Sequence, residues 1–445
     1  MFASAPWSDP VSAAGYLSGL TGYEASGVIE DPSTRRIELI TAALGSPNRR
    51  FPAIHITGTN GKGSTSAMIT ALLCSSGLRV GTYTSPHLST VTERVTLDEK
   101  PVSEERFAEA LGSVAWMSQR LGVTPTWFEA VTAAAFVVFA DAGVDAAVVE
   151  VGMLGRWDAT NIVDSSVSVI TNVELDHTEF AGDSRRQVAA EKAGIIRPGT
   201  TLVLGETDPD LLPIFAARRP GEILQLGVDV AAVHRRPSPT GSLVDLLTPW
   251  GEHTAVPINM LGEHQCRNAA LALAAAESFL HARIADHTVH HVLAAVHVTG
   301  RAEVLHARNP VVVVDGAHNA AAARALRTTL DEHLPVLRPR ILVCATSGDR
   351  QPERFLTAFD AQDFDLVIGT EVCQSRSSSA EQTVTAARRL RVSAVAHREV
   401  GAAVHHAITS AGADGLVVIA GSLYLIAAAR TAVATAVAGR EPQDR

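Results

Sequence analysis

Ile56-Thr57-Gly58-Thr59-Asn60-Gly61-Lys62-Gly63-Ser64-Thr65 decides how this chain is read. The segment follows an apolar run, Ala53–Thr57, and opens an alanine-rich stretch, Lys62–Ser76, with helical character. A strand turning through small residues into a helix directs backbone N–H groups inward and adds the positive end of the helix dipole. Gly58, Thr59, Asn60, Gly61, Lys62, Gly63, Ser64 and Thr65 are therefore the expected cradle for the phosphates of ATP. Lys62 would reach the outer phosphates and Ser64 is placed to ligate Mg²⁺. The spacing is compact: five positions before Gly61 stands Ile56, where the common phosphate loop has glycine. An ordinary glycine-rich turn is the alternative, and the strand, lysine and helix together favour the nucleotide.

Outward from this loop, short β-branched runs alternate with helical stretches, which predicts an α/β fold with mostly parallel sheets. Strands are expected at Val80–Thr84, Ala146–Val151, Val167–Thr171 and Thr201–Leu204. Helices are expected at Ser103–Leu121, Phe128–Ala142 and Ser184–Ala193. Between Pro220 and Pro257 the composition turns polar and Gly/Pro-rich, predicting a small β excursion, before helix returns at Cys266–Phe279. A second α/β series begins near residue 302, with strands at Val311–Asp315, Ile341–Ala345, Leu366–Thr370 and Leu416–Ala420. Two domains follow, 1–298 and 299–445.

Composition narrows the function. With 46 % apolar and 19 % charged residues the chain can fill sizeable cores. A formal net charge of −10 argues against a nucleic-acid partner. Cys74, Cys266, Cys344 and Cys373 show no paired spacing and read as reduced thiols. No Lys or Arg precedes Arg35, and runs such as Ala133–Ala140 are too short to span a bilayer. A cytoplasmic monomer is expected, without a membrane partner.

Two acids close apolar strands. Glu150 ends Ala146–Val149 and Asp315 ends Val311–Val314. The C-terminal edge of a parallel sheet is where such folds bind ligands, so Glu150 reads as a hard oxygen ligand for Mg²⁺. A strand-end salt bridge is the alternative. By chemistry alone Lys192 reads as a solvated lysine at a helix end closed by Gly194. No Ser-His-Asp or Cys-His arrangement stands out.

Further segments recur in order: Tyr83-Thr84-Ser85-Pro86-His87-Leu88, Glu93-Arg94-Val95, Asp158-Ala159-Thr160-Asn161, Leu175-Asp176-His177-Thr178, Glu191-Lys192-Ala193-Gly194, Gly300-Arg301, Asp315-Gly316-Ala317-His318-Asn319 and Gly421-Ser422-Leu423-Tyr424. With the glycine loop they resemble the Mur ligase superfamily, and within it the folylpolyglutamate synthases and dihydrofolate synthases of the bacterial bifunctional type. The resemblance implies an N-terminal P-loop ATPase domain and a C-terminal Rossmann-like domain. It implies joining of L-glutamate to a pterin or folate acid through an acyl phosphate, with closure between domains excluding water.

Residue by residue, the resemblance implies the following roles. His177 holds a second Mg²⁺, Ser85 joins the metal site, and Lys192 is carbamylated. Asn268 contacts adenine, Arg301 contacts the ATP phosphates, and Asp315 reaches the nucleotide ribose or the catalytic centre. His318 belongs with the catalytic groups. Thr84, Ser85, Pro86, His87, Arg94 and Asp158 bind the acid substrate. Phe128 and Glu129 are candidates to face it, with helix core the equal alternative for Phe128.

The chain departs from the family pattern in places. Gly152-Met153-Leu154-Gly155-Arg156-Trp157 has lost a glycine and gained Trp157; Val298-Thr299-Gly300-Arg301 lacks the proline usual before the Gly-Arg pair, Ala320 replaces a proline, and Glu174 replaces a small or apolar residue. These changes leave the acid open. Competing readings are a related ligase acting on a non-folate acid, a phosphate-loop ATPase switch or small-molecule kinase, and a silent binding protein. Retention of Lys62, Glu150, His177 and Lys192 speaks against the last.

Overall fold

A computed structural model describes residues 9–22, 32–175, 180, 182–346, 352–372 and 377–438. They form two compact units. The first holds the chain through Arg235 with Leu243–Ile258 and Gln265–Val296. The second holds Arg236–Ser242, Asn259–His264 and the chain from His297.

The first unit is built on eight strands: β1 (Ala53–Thr57), β2 (Val80–Tyr83), β3 (Val95–Leu97), β4 (Lys100–Pro101), β5 (Ala146–Glu150), β6 (Ser165–Ile170), β7 (Thr201–Leu204) and β8 (Glu222–Gln225). Their order is β4-β3-β2-β5-β1-β6-β7-β8. The six strands from β2 to β8 in that order are parallel, and β3 and β4 add an antiparallel edge. β1 and β5 are buried throughout, which accounts for their unbroken apolar character.

The flanking helices have explicit ends. Glu104–Leu121 starts on Ser103, which accepts from Arg106 N, and stops at left-handed Gly122. Trp127–Ala142 starts on a Thr126/Glu129 capping box and stops at Gly143. Phe107, Leu111, Phe136 and Phe139 from these helices join Phe51 and Tyr83 in one apolar cluster. The chain leaves β1 towards β2 on one side of the sheet and leaves β6 towards β7 on the other. Adjacent strands whose continuations diverge open a crevice at their C-terminal ends; both the glycine loop and Asn172 lie there.

β9 (Ala231–Ser238), β10 (Gly241–Thr248) and β11 (Gly251–Ile258) form a separate three-stranded sheet, the β excursion expected from composition. In the second unit, β12 (Glu303–Ala307), β13 (Val311–Val314), β14 (Arg340–Cys344), β15 (Leu366–Gly369), β16 (Ala394–Ala396) and β17 (Leu416–Ala420) take the order β12-β13-β17-β14-β15-β16. All pair in parallel except β12, which runs antiparallel at the edge. The mixed α/β architecture agrees with the sequence reading. Among the described residues no helix is long and apolar enough to cross a membrane.

Candidate active site

β1 delivers the chain into the glycine loop, and Gly61 caps the helix Lys62–Ser75 at φ +86°. That left-handed conformation is why glycine stands at this position. The crevice between β1 and β6 holds the loop from outside. Asn172 O accepts from Thr59 N at 3.1 Å, Asn172 Oδ1 accepts from Asn60 N at 3.0 Å, and Asn172 Nδ2 donates to Asn60 O at 3.0 Å. Thr171 Oγ1 donates to the same carbonyl at 2.6 Å. Lys62 folds back, Nζ donating to Gly58 O at 3.1 Å and Thr59 O at 3.4 Å. Asn268 lies against the loop: a methyl on Gly61 would sit 2.7 Å from Asn268 Oδ1.

Glu150 is buried at the end of β5, paired in register with Ile56 of β1. A methyl on Gly63 would lie 3.7 Å from Glu150 Oε2, and Ser85 N donates to that oxygen at 3.4 Å. A carboxylate, the first turn carrying buried Ser64, and Ser85 thus converge beside the loop. These are hard oxygen donors of the kind Mg²⁺ prefers, so the residues fit that ion. His177, with Asp176 and Thr178, lies outside the described residues.

The segment after β5 is tied down at both ends. Asp158 caps a short turn, its Oδ1 accepting from Thr160 N at 3.0 Å and Thr160 Oγ1 at 2.5 Å, its Oδ2 from Met153 N at 2.9 Å. Burial raises the Asp158 carboxyl above its ordinary pKa, against these hydrogen bonds. At 9 % exposure and with both oxygens engaged, Asp158 organises its loop. Trp157 is half-exposed, with the Arg156 guanidinium 4.6 Å from its ring centre.

Lys192 ends the helix Arg185–Lys192 and is only 3 % exposed, so the solvated-lysine reading does not hold. Gly194 does not close that helix in a left-handed turn, since a 3₁₀ turn over Ala193–Ile195 continues it. The glycine serves close approach instead: a Cβ there would meet Arg156 Cα at 2.5 Å. Arg156 N donates to Glu191 O at 3.0 Å, fastening the loop after Glu150 to the helix that carries Lys192.

In the loop Thr84–Arg94, Arg94 Nε donates to His87 Nδ1 at 2.8 Å and its guanidinium lies 4.6 Å from the Trp127 ring centre, with His87 stacked on the same indole. Arg94 is wholly buried and braces the loop. Thr84 and Pro86 belong to the same loop, Thr84 N donating to Arg94 O at 3.0 Å. Glu129 is likewise committed, to its capping box and to Arg36 at 3.0 Å. Phe128 packs on the rim of the core cluster, 6.0 Å from the Tyr83 ring.

The second unit gathers its own polar cluster at the C-terminal edge of β13. Asp315 Oδ2 accepts from Ala302 N and Oδ1 from Ala317 N, both at 2.6 Å. Burial raises its carboxyl pKa, opposed by Arg301 and these amides. His318 Nδ1 lies 2.8 Å from Gly316 O, so that nitrogen carries the proton. Asn319 caps the helix Ala320–His333 through Ala322 N.

Sequence reasoning missed Thr171, Asn172, Thr57 and His55. A polar Thr-Asn pair directly after the apolar end of β6, Val169-Ile170, was the signal available for the first two.

The chain matches the Mur ligase middle domain over residues 56–276 and the Mur ligase glutamate ligase domain over residues 300–423. It is 36 % identical over 381 residues to the dihydrofolate synthase/folylpolyglutamate synthase of Mycobacterium tuberculosis, covering 80 % of this chain and 78 % of that protein. Crystal structures of Mycobacterium tuberculosis folylpolyglutamate synthase complexed with ADP and AMPPCP superpose with a TM-score of 0.86 at 33 % identity, covering 98 % of this chain and 100 % of that one. A bifunctional folylpolyglutamate synthase/dihydrofolate synthase with Mn, AMPPNP and L-glutamate bound superposes at 0.83 and 27 % identity, over 98 % of this chain and 100 % of its own. By these matches the chain belongs to the dihydrofolate synthase/folylpolyglutamate synthase family of Mur-type ligases.

Proposed function

We propose that this protein is an ATP-dependent ligase that forms an amide between L-glutamate and a folate-type carboxylic acid, dihydropteroate or tetrahydrofolate. The observation that carries this reading is the convergence of the glycine loop, the Glu150 carboxylate and the fastened segment before Asp158 at one sheet edge. A phosphate cradle alone would serve a switch or a kinase. The family membership and the nucleotide- and glutamate-bound relatives support the ligase.

In the proposed reaction the acid's carboxylate attacks the γ-phosphorus of ATP, giving an acyl phosphate and ADP. The glutamate amine then attacks the acyl carbon, the amide forms, phosphate leaves with the C–O bonding pair, and the amine's proton passes to solvent. Both anionic partners of the first step repel, and Lys62 with the loop amides offsets that repulsion. Glu150, Ser64 and Ser85 are the proposed holders of Mg²⁺, which when bound neutralises phosphate charge; His177 is a further proposed ligand. Lys192 is proposed to act as its carbamate, whose negative charge suits a metal-rich setting. Asn268, Arg301 and Asp315 are proposed nucleotide contacts and His318 a catalytic group. Thr84, Ser85, Pro86, His87, Arg94 and Asp158 are the proposed contacts of the acid, with Arg94 also bracing the Thr84–Arg94 loop and Asp158 the Leu154–Thr160 segment. A cytoplasmic setting, with ATP, magnesium and reduced thiols, suits this chemistry.

The test is product mass after incubation with ATP, Mg²⁺, L-glutamate and a panel of acids including dihydropteroate and tetrahydrofolate. The expected result is gain of one glutamyl unit with one ADP released per amide. ADP release without any amide product overturns the reading.

A further inference from the structure

β1 presents His55 and Thr57 on one face, two residues apart. Both reach the segment after β5. Thr57 Oγ1 donates to Leu154 O at 2.5 Å, and His55 Nε2 lies 2.9 Å from Thr160 Oγ1. The direction of the second bond follows from its neighbour. Asp158 Oδ1 lies 2.5 Å from Thr160 Oγ1, and each Asp158 oxygen also accepts a backbone amide. Thr160 has one hydroxyl proton and directs it to Asp158, so its oxygen accepts from His55. The proton of His55 therefore sits on Nε2, and Nδ1 is a buried bare acceptor without a partner among the described residues. Burial, helped by Arg197, pushes the imidazole pKa down to about 3, in keeping with a neutral ring.

An aliphatic residue at position 55 would fill a wholly buried strand without leaving a polar nitrogen unsatisfied. What histidine supplies that an aliphatic residue lacks is one donor, aimed at the loop. We propose that His55 is a positioning residue: its Nε2–H, together with the Thr57 hydroxyl, clamps the Leu154–Thr160 segment to the strand that feeds the phosphate loop. The clamp holds the acid-binding side of the site in register with the phosphates. This rests on the reading of that segment as part of the acid site.

The test uses His55→Leu and His55→Gln in the full chain. Glutamine can place an amide N–H where Nε2 stands, whereas leucine cannot. Steady-state kinetics are measured separately for ATP and for the best acid of the panel. His55→Leu should raise the acid KM about tenfold, as loss of one buried hydrogen bond predicts, with the ATP KM within about twofold. His55→Gln should return the acid KM to within about threefold of the unaltered protein. A leucine variant with unchanged acid KM, equal losses for both substrates, or a glutamine variant as impaired as leucine overturns the proposal. Should the leucine variant not fold, nitrogen NMR of the imidazole in the unaltered protein decides. A bare Nδ1 and protonated Nε2 from about pH 5 to 8 supports the clamp; the opposite tautomer or a charged ring overturns it. A protein that makes no amide from any acid defeats the functional reading alone, and the tautomer still judges the clamp.

Discussion

Gly61→Ala perturbs the phosphate loop at the point where two costs add. The residue sits at φ +86°, where a side chain costs about 1–2 kcal/mol. The new methyl would lie 2.7 Å from Asn268 Oδ1 and 3.1 Å from its Nδ2. Asn268 is buried and its Nδ2 donates to Gln265 Oε1 at 3.0 Å, so moving it aside forfeits a bond worth about 0.5–1.5 kcal/mol. Together the terms come to about 2–3 kcal/mol, or about a 30- to 150-fold loss if the loop must keep this shape to bind phosphate. Calorimetric titration of MgADP into the parent, Gly61→Ala, Asn268→Ala and the double variant separates them. Relative to Asn268→Ala alone, adding Gly61→Ala should cost only the backbone part, so the cycle shows a favourable coupling of about 1 kcal/mol. Parent-like affinity in Gly61→Ala, or no coupling between the two sites, would refute the reasoning.

Other changes follow from the same geometry. Glu150→Gln should cut Mg²⁺-dependent ADP formation by at least about a hundredfold, while thermal melting stays near that of the parent; equal activity removes Glu150 from the metal site. Lys192→Arg, which keeps a cation but cannot form a lysyl carbamate, should lose turnover that added bicarbonate does not restore; full activity in this variant sinks the carbamate proposal. Asp315 has its folded pKa raised above the ordinary 3.8 by burial. Its stabilisation is therefore fully present below that value and lost as pH climbs through the folded value. The melting temperature of the parent relative to Asp315→Asn should fall as pH rises above the ordinary carboxyl value of 3.8, and a rise instead contradicts it.

Much of this molecule could be read from local signals. β1, β7 and β17 fall where apolar β-branched runs placed them, because central parallel strands buried on both faces need no partner to reveal them. β3, β4 and β16 have three residues or fewer and lie at or next to sheet edges, too short for periodicity to register. The helix Asp286–Ala295 alternates histidine with apolar residues and its N-cap Ala285 makes no side-chain cap, so its start carried no signal.

The site divides the same way. The glycine loop is legible because its chemistry lies within ten consecutive residues. Its outer support by Asn172 depends on how β6 registers against β1, more than a hundred residues apart, and no local pattern encodes that pairing. Arg94 and Asp158 stand in linear motifs that say nothing of their surroundings; only the tertiary structure shows that both are buried and hydrogen-bonded to their own loops.

The reciprocal bonds between Asn172 and Asn60 carry a consequence for how nucleotide arrives. A bare glycine loop of this composition would sample many shapes, and each arrival would have to select one. Here a side-chain amide from the next strand acts as a template that has frozen the curve during folding. Recognition then loses little chain entropy, because the loop already holds its curve. Asn172→Ala should accordingly slow capture of nucleotide more than it speeds its escape.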